Sequence, residues 1–106
     1  MALARLGGDH DLFADMVGYF FEDAPKLACD IHAAVDAKDA TAVRIKSHAL
    51  KGIAAGCGGV RTAGAAQALE DAGQSGDLSR SESLAEKLDV ELTQLTHALE
   101  PHRHKT

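Results

Sequence analysis

Apolar residues recur at three- and four-residue spacing along most of the chain. One series runs through Phe13, Met16, Val17, Phe20, Ala24, Leu27, Ile31, Ala34 and Val35. A second, near the other end, is Leu84, Leu88, Leu92, Leu95 and Leu99. This spacing lines one face of a helix, whereas a strand would alternate every second residue. Composition agrees. Alanine and leucine dominate the apolar content, and both are strong helix formers. Aromatics are only 4% and there is no Trp, so strand formers are thin.

Turn and cap residues divide the pattern. Met1 to Leu6 reads as a short lead-in helix ended by Gly7-Gly8, with Asp9 as the next N-cap. A long amphipathic segment then runs to about Lys38. Pro25 interrupts it, and an internal proline predicts a kink or a restart capped by Asp23. Asp39 is the following N-cap, for a helix from Ala40 to Ala55 stopped by Gly56, Gly58 and Gly59. A third helix runs from Val60 to Ala72, with Gly73 at its end. After the loop Gln74 to Asp77, Ser79 and Glu82 have the spacing of a capping box for a last helix to Glu100. Pro101 ends that helix.

The expected fold is all-α. It is an antiparallel up-down four-helix bundle with a short N-terminal lead-in helix. The 106 residues are read as a single domain, with the bundle over about 9–100 and a flexible tail over 101–106. Net charge is −5, which argues against nucleic acid as a partner. No stretch is apolar enough to span a bilayer, and no secretion signal opens the chain, so a cytoplasmic location without direct membrane contact is expected. Cys29 and Cys57 are far apart and read as buried free thiols.

The stretch Arg44 to Gly59, RIKSHALKGIAAGCGG, is the informative one. On a helical wheel with His48 at zero, Val43, Leu50, Ala54 and Cys57 cluster at roughly 180–240°, and Ile53 lies at about 140°. That side faces the core, so His48 faces solvent with a ring nitrogen available as a nucleophile. Arg44, Gly52 and Ala55 fall within about 40° of it, and Lys51 and Ile45 lie about 60° away. Arg44 and Lys51 make a basic spot on an acidic chain, suited to a phosphoryl group. Gly52 in mid-helix costs about 1 kcal/mol relative to alanine. Its missing Cβ, followed by the small Ala55, clears a surface that a partner can approach. Singly, each of these residues has an ordinary surface or packing explanation. Together on one stripe they favour a site.

His48-Ala49-Leu50-Lys51-Gly52 resembles the H-x-L-K-G signature of histidine-phosphotransfer (HPt) domains, and Gly58 follows at that family's glycine position. Upstream, Leu6-Gly7-Gly8-Asp9, Leu12-Phe13, and Phe20 or Phe21 with Pro25 resemble the family's opening block. Leu69-Glu70 resembles its downstream L-E pair. The resemblance spans about Leu3 to Leu99. One departure is Gly56, where the family often carries a polar residue such as Asn. The short lead-in also suits a domain cut from a longer hybrid sensor kinase, with a free-standing carrier as the other reading.

The resemblance implies that His48 accepts a phosphoryl group from the phospho-aspartate of a receiver domain and passes it to another receiver. It implies phosphorylation on Nε2, with Nδ1 donating to an orienting acceptor. Glu70 is the candidate acceptor and Gln67, one turn earlier, a supporting one. Lys51 is expected to act beside them. The receiver would dock over Gly52, Arg44 and Ala55, with Ile45, Leu12 and Met16 as the apolar patch. Phe13 is a weaker candidate, because core packing explains it. The receiver would also bring Mg²⁺, so no cofactor or metal of the domain's own is expected. There is no GxxxxGK[ST] motif or other glycine-rich phosphate loop. The chain is therefore read as a carrier rather than an enzyme, although a parent chain could be a histidine kinase. A monomer is expected, since the bundle can close its own core.

Two other readings remain open. Asp9-His10-Asp11 could be a metal or acid–base cluster, but adjacent helical residues do not share a face, and capping explains them better. An HPt-like bundle could also bind receivers without transferring phosphate.

Overall fold

The computed structural model describes the backbone of residues 2–103 and the side chains of residues 12–103. The described residues form four helices: α1 (Ala2–Asp36), α2 (Ala40–Gly56), α3 (Val60–Ser75) and α4 (Ser81–Leu99). A 3₁₀ turn follows over Glu100–His102. The fold is the all-α bundle that the periodicity predicts.

Cross-helix contacts give the directions. Asp30 and Lys46 pair at 3.5 Å, while Met16 lies against Gly56, so α1 and α2 run oppositely. His48 meets Glu70 while Arg44 meets Gly73, which reverses α3 against α2. Thr62 Oγ1 donates to the Glu91 carbonyl at 3.0 Å, while Ala68 shares a groove with Leu84, which reverses α4 against α3. His32 with Asp89 and Phe13 with His102 close the ring between α1 and α4. The bundle is therefore up-down-up-down.

The apolar stripes meet in one core. Val17, Phe20 and Ile31 of α1 are fully buried with Val43 and Leu50 of α2, Leu69 of α3 and Leu88 of α4. Each such side chain contributes about 1.5–3 kcal/mol on leaving water. The α2 wheel holds. Val43, Leu50, Ala54 and Cys57 are buried and Ile53 is half-buried, whereas His48 is exposed. Cys29 differs from expectation, because it falls on the outer side of α1 and is exposed.

The connections are short and well capped. Lys38 takes φ 55°, and Lys38 N–H and Asp39 N–H donate to the Val35 and Ala34 carbonyls. Asp39 then caps α2 by accepting from Ala42 N–H at 3.1 Å. Gly58, at φ 80°, closes α2 by the same scheme, with Gly58 and Gly59 N–H on the Ala55 and Ala54 carbonyls. Such closures satisfy helix-end carbonyls that would otherwise lack partners.

Several boundaries depart from the sequence expectation. Helix α1 runs unbroken through Gly7-Gly8, so there is no separate lead-in helix and no helix start at Asp9. Glycine weakens a helix without removing a hydrogen bond, so it does not enforce a stop. Helix α1 also continues through Pro25 without a restart. Pro25 lies on the exposed side, while the adjacent Ala24 anchors the core face. Tertiary packing of the long apolar stripe outweighs the local penalty. Helix α3 passes Gly73 and ends at Gly76, whose φ of 81° takes the left-handed cap.

The Ser79–Glu82 capping box does not form, since the cap position is Arg80. Instead, Asp77 accepts from Ser79 N–H, and Ser81 Oγ donates to the Leu78 carbonyl. These local bonds stabilise the turn in place of the box. Pro101 sits within the 3₁₀ turn, and the first tail residues are exposed yet in contact with α1. His102 meets Phe13 edge-on, and the Arg103 guanidinium lies 4.5 Å over Phe21. The tail expectation for residues 104–106 falls outside the described residues.

Gly73 is buried where α3 crosses α2. A Cβ there would lie 2.6 Å from Arg44 N and 2.7 Å from the Ala40 carbonyl oxygen. Backbone cannot yield as a side chain can. Gly73→Ala is therefore expected to lower unfolding free energy by about 1–3 kcal/mol, despite better helix propensity. Urea denaturation checks this, and unchanged or increased stability would contradict the packing assignment.

Candidate functional site

The outward face of α2 carries His48, and α3 runs beside it. The His48 side chain is 67% exposed, yet its Nδ1 lies 3.0 Å from Glu70 Oε2. The other oxygen, Oε1, is closed off from solvent and lies 2.9 Å from Lys51 Nζ. Lys51 Nζ also donates to Gln67 Oε1 at 2.8 Å. Gln67 Nε2 in turn donates to Asp71 Oδ1 at 2.8 Å. One connected network thus runs from the imidazole to the outer edge of α3.

Helical spacing explains how these groups meet. His48 and Lys51 are three apart on α2, and Gln67 and Glu70 are three apart on α3, so each pair shares a face. The two helices are antiparallel, which sets His48 opposite Glu70 and Lys51 opposite Gln67. Glu70 then reaches both α2 residues at once.

The electrostatics follow. Glu70 is held below the ordinary carboxylate range, chiefly by the Lys51 ammonium 2.9 Å from its Oε1. Partial burial pushes the other way, and the hydrogen bond from His48 adds to the lowering. An ionised carboxylate only accepts hydrogen bonds. Nδ1 of His48 must therefore carry the hydrogen, which leaves the Nε2 lone pair unprotonated in the neutral ring.

Lys51 departs from the expected picture of an outward basic residue. Its side chain is 27% exposed and bends sideways onto Glu70 and Gln67. Its charge is therefore largely matched by Glu70. Arg44, exposed on the same strip, makes no ion pair among the described residues. The wheel placed Lys51 near His48 but carried no information about the carboxylate opposite. Asp71 was missed altogether, although its four-residue spacing from Gln67 was a readable signal.

The remaining residues lie along the same side. Gly52 and Ala55 are exposed, and a Cβ at Gly52 would meet nothing within 4 Å. Gly52 is thus not required by packing within the bundle. Ile45 is exposed at one end of the strip. Met16 is half-buried at the other end, and its terminal methyl fills the space that a side chain at Gly56 would occupy. A side chain at Gly56 would therefore displace the Met16 methyl. Leu12 is exposed one turn before Met16. Phe13 turns away, toward His102.

Among the described residues, no group of three His, Cys, Asp or Glu is placed to hold a metal ion. The side chains of Asp9, His10 and Asp11 lie outside the described set. No described helix is long and apolar enough to cross a membrane.

The family model described as Hpt domain matches residues 15–100. The chain belongs to the Hpt-domain family. Members take part in histidine phosphotransfer within phosphorelays, as carriers rather than kinases, and interact with the receiver domains of response regulators. Comparisons with curated proteins and with solved structures gave no match.

The lowered Glu70 pKa fixes the sign of a pH effect. The ionised network contributes stability that is complete above the unfolded carboxylate value of about 4.3. That contribution is lost as pH falls through the lower folded value. An NMR titration of the Glu70 side-chain carboxyl should therefore show a midpoint below about 4.3. A midpoint at or above it would contradict the network.

Proposed function

We propose that this chain is a phosphorelay carrier in which His48 receives a phosphoryl group from the phospho-aspartate of one receiver domain and delivers it to the aspartate of another. The observation that carries the reading is the His48–Glu70 hydrogen bond on an otherwise exposed ring. A carboxylate on Nδ1 leaves Nε2 outward as the nucleophilic nitrogen.

The chemistry balances simply. The Nε2 lone pair attacks phosphorus as the bond from phosphorus to the aspartyl oxygen breaks. The electron pair of that bond leaves with the receiver's carboxylate. The imidazole gains positive charge as the Nε2–P bond forms, and the Nδ1–H already points at Glu70. A preorganised carboxylate there stabilises the developing charge without rearrangement. Delivery to the second receiver is the reverse sequence. Such transfers pass through a loose, in-line transition state that demands positioning and charge neutralisation.

The other residues have supporting roles. Lys51 keeps Glu70 ionised and in place, with Gln67 behind it. Arg44 is the cation left to face the phosphoryl oxygens. Gly52 and Ala55 leave a flat strip against which a receiver can seat, with Ile45, Met16 and Leu12 as apolar contacts toward its ends. The receiver brings its aspartate and Mg²⁺, so this chain needs no cofactor of its own. The carrier acts as a monomer.

Incubation with a phosphorylated receiver should leave acid-labile, base-stable phosphate on the wild type and none on His48→Gln. Absence of label on the wild type across a receiver panel would leave a docking bundle without transfer. Label persisting on His48→Gln would refute the site.

Gly52 provides a separate check. Gly52→Ala should raise stability by about 0.5–1 kcal/mol, since nothing obstructs the new methyl. Gly52→Leu should slow transfer by on the order of tenfold through misplacement of the receiver. Urea denaturation and a transfer time course read the two effects. Full-speed transfer by Gly52→Leu would mean that the strip is not the docking surface.

A further inference from the structure

The His48 network does not stop at Glu70. It continues through Lys51 and Gln67 to Asp71, an exposed carboxylate at its outer end. We propose that Asp71 is a positioning residue, which selects the amide orientation of Gln67 and thereby locks Lys51 on Glu70 and Glu70 on Nδ1 of His48. The proposal deepens the carrier reading and rests on it for its functional consequence.

Donor and acceptor capacities fix the amide orientation. Asp71, when ionised, accepts and cannot donate. The Gln67 amide must therefore turn its NH₂ toward Asp71, at 2.8 Å. Its oxygen is then left to face Lys51, also at 2.8 Å. Lysine donates and cannot accept, so this orientation satisfies both ends. The flipped amide would set its NH₂ against an ammonium and its oxygen against a carboxylate. Both contacts would be repulsive, so the two charged ends choose the same orientation.

Without Asp71, the amide loses one of its two instructions. Lys51 then has a weaker second anchor, and its long side chain gains freedom to leave for water. Glu70 Oε1 has no other described partner within bonding distance. Its carboxylate would turn more freely, and the hold on Nδ1 would loosen. Asp71 makes no ion pair with Lys or Arg among the described residues, and its one described side-chain hydrogen bond is to Gln67. No other described residue hydrogen-bonds or ion-pairs with its side chain.

A double-mutant cycle tests the relay on the intact chain. The four proteins are wild type, Asp71→Asn, Gln67→Met and the double variant. Asparagine keeps the shape of Asp71 but can present either a donor or an acceptor. Methionine keeps the length of Gln67 without an amide. Asp71→Asn should slow phosphoryl transfer about threefold, at the lower end for neighbours in one network. It should also shift the His48 ring-nitrogen NMR signals from a single Nδ1–H tautomer toward a mixture. In the Gln67→Met background, Asp71→Asn should change neither quantity.

A general charge effect or a helix-stability effect of Asp71 would appear equally in both backgrounds, and would overturn the proposal. An unchanged His48 tautomer in Asp71→Asn alone would overturn it as well. Asp71→Ala, run beside Asp71→Asn, separates a local defect of one replacement from loss of the carboxylate. If the wild type accepts no phosphoryl group, the carrier reading fails. The ring-nitrogen measurements still decide the relay.

Discussion

The close approach of α3 to α2 at Gly73 is the constraint on which the site depends. Gly73 lets the α3 backbone settle against the Ala40 carbonyl and the backbone of Arg44. Glu70 lies one turn along α3 from that contact, and His48 one turn along α2 from Arg44. The helix separation set at the glycine is therefore inherited by the carboxylate and the imidazole. At that separation Glu70 can place one oxygen on His48 and the other beside Lys51. Moving the helices apart by the width of a methyl group would force the carboxylate to favour one partner. Precision at the ring thus originates in a residue that never touches it.

Glycines inside helices have different causes here, and only the surroundings tell them apart. Gly73 meets backbone, and Gly56 meets the Met16 side chain. Gly52 meets nothing. Gly52 and Gly73, inside their helices, lose helix propensity to a similar degree, whereas Gly56 ends α2. Packing explains Gly73 and Gly56 and leaves Gly52 unexplained within the chain. On the proposed reading, the open space at Gly52 is room beside the exposed His48 for a docking receiver.

Much of the bundle is legible in the sequence because its apolar stripes are long and regular. Core positions such as Val43, Leu50 and Leu88 follow from spacing alone. The boundaries are less legible. Gly7-Gly8 and Pro25 read as breaks, yet continuous packing of α1 carries the helix through them. Gly73 reads as an end and is a crossing point. The exposure of His48 follows from its own helix, since the opposite side is visibly apolar. Its partners do not follow so directly. A wheel describes one helix, and the sideways turn of Lys51 onto Glu70 is decided by the neighbouring helix. Resemblance to the HPt family marked Glu70, while Asp71 carried no such mark.

Helix α4 contributes no residue to the imidazole network or to the outward strip of α2. It supplies Leu88 and Leu99 to the core, and Glu91 and Asp89 to its ties with α3 and α1. Two distinct filters therefore act on sequence change in this molecule. Substitutions in α2 and α3 are judged on geometry at the ring as well as on folding. Those in α4 reach the ring only through the core and the ties to α3 and α1. Change on the outer surface of α4 therefore leaves the histidine untouched so long as Leu88, Leu99 and the ties through Glu91 and Asp89 hold.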